Sequence, residues 1–153
     1  MTVEIVIGDL LEAKEDVLIH SVNAQGKMGS GIAKQIRAKY PKVYDEYMKY
    51  CNSKPSHALV GDVQAVKVED GKYICNLFGQ LNYGYDGKRY TSYDALCRGL
   101  EHIKEVAKRE ELSVALPFGI GSVLGGANWN IVYTMIDEIF KEYKVTIYKL
   151  EDN

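Results

Sequence analysis

Two stretches of this chain combine glycine, small residues and few bulky side chains. The first is Val22-Asn23-Ala24-Gln25-Gly26-Lys27-Met28-Gly29-Ser30-Gly31-Ile32-Ala33, and the second is Gly119-Ile120-Gly121-Ser122-Val123-Leu124-Gly125-Gly126. Each follows an apolar run, Val17-Leu18-Ile19 or Val114-Ala115-Leu116, and each leads into a segment with helical spacing. Glycine lets bare main-chain N–H groups converge on an anion, and the start of a helix adds a partial positive charge. Such junctions suit a phosphorylated ligand. One alone is a weak signal, whereas two at strand-to-helix junctions of one small chain reinforce each other. Near them stand side chains able to do chemistry. His20 has the side chain best able to exchange a proton near neutral pH. Asp9 is an acceptor-only carboxylate, and it is equally a turn or N-cap residue. Asn23 either contacts a ligand or caps backbone after a strand, and Asp86 offers an acid–base carboxylate in a loop.

The elements that must position these residues follow from periodicity and punctuation. Residues 3–7 alternate like a strand that Gly8-Asp9 ends, and residues 17–21 form a buried strand. A helix is expected over 31–39, ended by Tyr40-Pro41 because the residue before proline disfavours helical angles. A second helix covers 42–52. Strands 62–68 and 72–78 flank the turn Asp70-Gly71 as a hairpin. A long amphipathic helix spans 92–109, then a buried strand 113–116 ended by Pro117, a helix 128–143 and a last strand 145–150. Strands that alternate with helices, and that read as continuous apolar runs, indicate one three-layer α/β/α domain over 1–153 with a mixed, mostly parallel central sheet. In such folds the ligand crevice lies beyond the carboxyl ends of central strands, where both glycine stretches fall.

Composition narrows the function. The chain has 153 residues and a formal net charge of -2, which argues against a general nucleic-acid binder. Its Lys and Arg residues are scattered, so main-chain dipoles are expected to hold an anionic ligand. No apolar run suits a membrane span, and Met1-Thr2-Val3-Glu4 lacks the plan of a signal peptide. Three widely spaced cysteines, Cys51, Cys75 and Cys97, fit a reduced, cytoplasmic protein. His57 and His102 have no second ligand at metal spacing, so no metal and no cofactor are expected. A monomer suffices.

At these residues the chain resembles a macro domain. The resemblance rests on Gly8-Asp9-Leu10, His20-Ser21-Val22-Asn23, Gly29-Ser30-Gly31-Ile32-Ala33, Leu116-Pro117, Gly121 to Gly126 and Trp129. Lys39-Tyr40-Pro41 and the closing Tyr148-Lys149-Leu150 make it most similar to one branch. That branch holds the yeast-type ADP-ribose-1″-phosphate phosphatase and the terminal ADP-ribose glycohydrolase. The resemblance implies that Asp9 accepts from the adenine amino group, that Leu10 offers its N–H to the ring, and that Tyr148 lies beside it. It implies that Gly29, Ser30, Gly31, Ile32 and Ala33 clamp the diphosphate from one side. From the other side come Pro117, Gly121, Ser122, Val123, Leu124 and Gly125, with Asn23 bonded to the distal ribose.

The chain also departs from that pattern. The glycohydrolase uses a lysine where Gln80 stands and an aspartate in the second glycine loop, where this chain has Gly125 or its neighbour, so a Schiff-base route is not expected. Near relatives often carry glycine where Val123 stands, and valine resists the positive φ such a turn would use. The expected reaction is hydrolysis of ADP-ribose-1″-phosphate to ADP-ribose and phosphate. A positioned water would attack, with His20, Asp86 or the substrate's own groups assisting. The alternatives are a binding module that sequesters ADP-ribose, or a hydrolase that removes ADP-ribose from macromolecules. The loop 82–90, dense in tyrosine, is either a solvated tip or a cover over the distal ribose.

Overall fold

Apolar residues on alternate positions of the central strands build two cores, one on each face of a single sheet. The computed structural model describes residues 2–151; Met1, Asp152 and Asn153, the ends of the expected 1–153 domain, lie outside the described residues. The strands are β1 (Val3–Ile7), β2 (Val17–Asn23), β3 (Val63–Lys67), β4 (Tyr73–Gln80), β5 (Val114–Pro117) and β6 (Val145–Lys149). They pair in the order β1-β6-β5-β2-β4-β3, with β3 antiparallel to β4 and every other pair parallel. The expected α/β architecture with a mixed, mostly parallel sheet is what forms.

Helices cover both faces. Those of more than one turn are α1 (Gly31–Lys39), α2 (Pro41–Cys51), α4 (Tyr93–Glu110) and α5 (Trp129–Ile139); α3 (Ser56–Leu59) is a single turn. Ile19, Leu77 and Leu116 pack with Leu96, Leu100, Val132 and Ile136 on the α4/α5 face. Leu18, Ile74 and Phe78 pack with Ile36, Val43 and Tyr47 on the α1/α2 face. These branched and aromatic side chains stand on a two-residue period along the strands, so β2, β4 and β5 each serve both layers.

The departures from the expected boundaries matter for the site. Strand β2 runs on to Asn23, and β4 runs on to Gln80. Val22 pairs with Phe78, but Asn23 pairs with Gln80, so Gly79 is an extra residue in the ladder. Such a bulge turns the strand end and re-aims its side chains. Helix α5 stops at Ile139 rather than at Tyr143, whose hydroxyl donates to the Leu112 carbonyl at 2.5 Å. Helix α2 begins at Pro41, the first-turn position where a missing N–H costs nothing. Among the described residues no helix is long and apolar enough to cross a membrane.

Candidate functional site

Because β2 and β5 are adjacent and parallel, their carboxyl ends open on one edge of the sheet. There the chain encloses a cleft of about 640 Å³. Its walls are the two glycine stretches. Ser30 is the N-cap of α1, yet its side chain makes no cap hydrogen bond; its Oγ lies 2.6 Å from the Tyr85 hydroxyl. The first-turn N–H groups of Ile32 and Ala33 therefore stay open where these residues line the cleft. Opposite, the loop after β5 closes on itself through Ser122 N–H to the Gly119 carbonyl and Ala127 N–H to the Gly121 carbonyl. The N–H groups of Val123, Leu124 and Gly125 donate to no protein acceptor among the described residues. Two sets of unspent main-chain donors thus line one space.

One end of the cleft is formed by Asp9, Leu10 and Tyr148. Asp9 Oδ1 accepts from Leu11 N–H at 2.9 Å and caps the short 3-10 turn Leu10–Glu12. Its second oxygen makes no hydrogen bond among the described residues, so the cap leaves one acceptor open at the cleft. Tyr148 donates its hydroxyl to Glu15 Oε1 at 2.6 Å. Burial first, and then that carboxylate, push the phenol up to about 12. The ring is thereby held in one orientation at the cleft wall.

The other end is formed by Asn23, Gln80 and Tyr83. The Asn23 carboxamide is a hub. Its Oδ1 accepts from Gln25 N–H at 2.9 Å and from the Tyr47 hydroxyl at 3.1 Å, while its Nδ2 donates to the Lys27 carbonyl at 2.9 Å. One Nδ2 hydrogen is left over for a ligand. Asn23 thus shapes the first glycine stretch as well as lining the site.

Three expected site residues stand elsewhere. His20 is fully buried between the sheet and α2, not on the cleft wall. Its Nε2 lies 2.6 Å from Asn76 Oδ1, and Asn76 in turn donates to Gln64 Oε1 at 3.0 Å. Burial outweighs the Asn76 bond and pulls the imidazole from 6.5 to about 4. A buried, neutral histidine outside the cleft cannot orient water there, so the assignment of acid–base work to His20 is corrected. Asp86 is likewise outside the wall. Its carboxylate accepts from Lys88 N–H and the Tyr90 hydroxyl, which hold it below its usual range. It braces a turn. Ser122 does not line the cleft, and its Oγ is buried without a partner among the described residues. The concern over Val123 also falls away. Glu111 is the one non-glycine residue with positive φ among the described residues, and Val123 sits relaxed and 80% exposed at the rim.

A family model described as Macro domain matches residues 19–136. The chain belongs to the macro domain family. Among curated proteins this macro domain is 31% identical over 152 residues to the ADP-ribose 1″-phosphate phosphatase of Lodderomyces elongisporus. That match covers 91% of this chain and 93% of the yeast protein. It is also 31% identical, over 88% of its length, to a DNA ADP-ribosyl glycohydrolase of Mycobacterium tuberculosis. The chain spans 38% of that longer relative. Among solved structures it is similar to Thermosipho africanus DarTG in complex with ADP-ribose, with a TM-score of 0.82 and 25% identity. That likeness covers 99% of this chain and 43% of the other.

In this macro domain the second glycine loop has no space for an acidic side chain at Gly125. A Cβ there would collide with Thr91 Oγ1 and approach the Gly121 carbonyl oxygen to 2.6 Å. Gln80 beside it donates to the Asn82 carbonyl at 2.8 Å and carries no amine. The expectation that the ligand is held mainly by main-chain dipoles needs one addition. Lys27, Arg37 and Lys149 also line the cleft, where Asp9 is the one carboxylate among the described residues. Lys27 lies inside the first glycine stretch and was visible there; Arg37 and Lys149 arrive through the fold.

Proposed function

We propose that the cleft binds ADP-ribose derivatives and that the protein hydrolyses ADP-ribose-1″-phosphate to ADP-ribose and phosphate. The observation that carries this reading is the facing pair of unspent main-chain N–H sets, which suits a diphosphate. In this reading Asp9, Leu10 and Tyr148 receive the adenine, and Asn23 and Gln80 face the distal ribose. Water adds to phosphorus and gives up one proton to solvent, the bond from phosphorus to the C1″ oxygen breaks, and that oxygen leaves with the electron pair and takes a proton from solvent. Catalysis is then mainly positioning and electrostatic complementarity. The amide at Gln80 and the closed space at Gly125 argue against a covalent imine at C1″. Three unpaired thiols support a reducing, cytoplasmic setting.

A second reading, removal of ADP-ribose from DNA, is favoured by the mycobacterial relatives' names and by Lys27, Arg37 and Lys149 at the cleft. One experiment separates them. Purified protein is incubated with ADP-ribose-1″-phosphate and with an ADP-ribosylated oligonucleotide, and released phosphate and ADP-ribose are quantified. Phosphate release from the first substrate supports the phosphatase. Release of ADP-ribose from the second alone transfers the assignment to a DNA glycohydrolase. Tight binding of ADP-ribose with no turnover of either marks a sequestering module.

A further inference from the structure

We infer that the tyrosine-bearing loop between β4 and α4 is a strap across the cleft, and that Tyr85 sets substrate specificity by holding it shut. This rests on the reading of the cleft as an ADP-ribose site. The loop is tied to both glycine stretches. At its base the N–H groups of Tyr90 and Thr91 donate to the Gly125 carbonyl at 2.8 and 3.0 Å. At its tip the Tyr85 phenol and the Ser30 hydroxyl lie 2.6 Å apart.

The loop is also braced from within. The Tyr90 hydroxyl donates to Asp86 Oδ1 at 2.9 Å, and Lys88 N–H donates to the same oxygen at 3.2 Å. The Tyr90 ring closes so tightly on Gly84 that a Cβ there would stand 2.6 Å from its Cζ. The Tyr83 and Tyr85 rings meet edge to face, with centroids 6.5 Å apart. A merely solvated tip needs none of these ties. Tyr85 is nevertheless 70% exposed, so burial contributes little to holding it across the mouth and the bond to Ser30 matters.

With that bond formed the cleft still has about 640 Å³, ample for a small ligand. The strap leaves the sheet at Gln80, the end assigned to the distal ribose and its leaving group. A phosphate can depart beneath it. A leaving group that continues into a peptide or polynucleotide must cross it, so the Tyr85–Ser30 bond must first open. The cost of opening falls on conjugates and not on free ADP-ribose derivatives, which is the condition for discrimination.

The test is calorimetry on the purified full chain with two ligands. One is free ADP-ribose; the other is ADP-ribose joined at C1″ through a hydrolysis-resistant triazole to a short peptide. The wild type should prefer the free ligand. Tyr85→Phe should narrow that preference by about three- to tenfold, the worth of one hydrogen bond. Ser30→Ala should narrow it by a similar factor, and the double variant should add nothing further. Equal wild-type affinities, or a preference unchanged in both single variants, would overturn the strap while leaving the ADP-ribose site intact. Failure of the wild type to bind free ADP-ribose would overturn both.

Discussion

Asp9 uses one of its two oxygens and leaves the other open. One caps the turn that begins at Leu10, and the other is unspent at the adenine end of the proposed site. Asparagine caps as well as aspartate but presents N–H where the second oxygen was. Asp9→Asn should therefore change unfolding stability by less than about 0.5 kcal/mol. It should weaken ADP-ribose binding by about tenfold, because a donor then faces the adenine amino donor. The hypoxanthine analogue, which offers an acceptor at that position, should regain affinity in the variant; equal losses for both ligands would remove Asp9 from base recognition. His20 shows how a reactive residue type misleads. Leu18, His20 and Val22 share one face of β2, and that face is core. The two-residue period was legible and pointed inward, but histidine's chemistry drew attention to the neighbouring glycines instead.

At the scale of elements, the second glycine loop takes its shape from outside itself. Thr91, 2% exposed, donates its hydroxyl to the Gly121 carbonyl at 2.8 Å, and its N–H donates to Gly125. Thr91→Val keeps the volume and removes the hydroxyl bond. It should cost about 1 kcal/mol in urea unfolding and weaken ADP-ribose binding a few-fold. An unchanged midpoint with unchanged affinity would mean that the loop keeps its form without that tie. Strands β1, β2 and β5 and helices α1 and α4 were legible because their apolar periods are local. The bulge at Gly79, the bridge from Thr91 to Gln80 and the Tyr85–Ser30 bond were not, because each depends on a partner distant in sequence. The end of α5 belongs with them. No breaker stands at Phe140, and the Tyr143 bond to Leu112 draws the chain away. The tyrosines of loop 82–90 left a solvated tip and a cover both open, and their ties to both glycine stretches required the fold.

At the scale of the molecule, one polar row crosses the sheet beneath α2: His20, Asn76 and Gln64, ending on the Glu46 carbonyl. It links β2, β4 and β3 through groups that accept no net charge at low cost, since they are enclosed by apolar side chains. The folded protein holds His20 neutral down to about pH 4, while an unfolded chain protonates it near 6.5. Between those values the unfolded state binds more protons, so stability falls as the pH falls. Its share is fully present above 6.5, is lost progressively toward 4, and amounts to at most about 3 kcal/mol. His20→Gln keeps a donor for Asn76 Oδ1 and removes the titration. Urea midpoints measured at intervals from neutral pH down to 4 should therefore decline less steeply in the variant than in the wild type, with the difference opening below 6.5. Parallel declines would show that the row tolerates an imidazolium and that carboxylates elsewhere govern acid unfolding. Because His20 stands outside the cleft, the same substitution should leave the pH profile of ADP-ribose binding unchanged wherever both proteins remain folded.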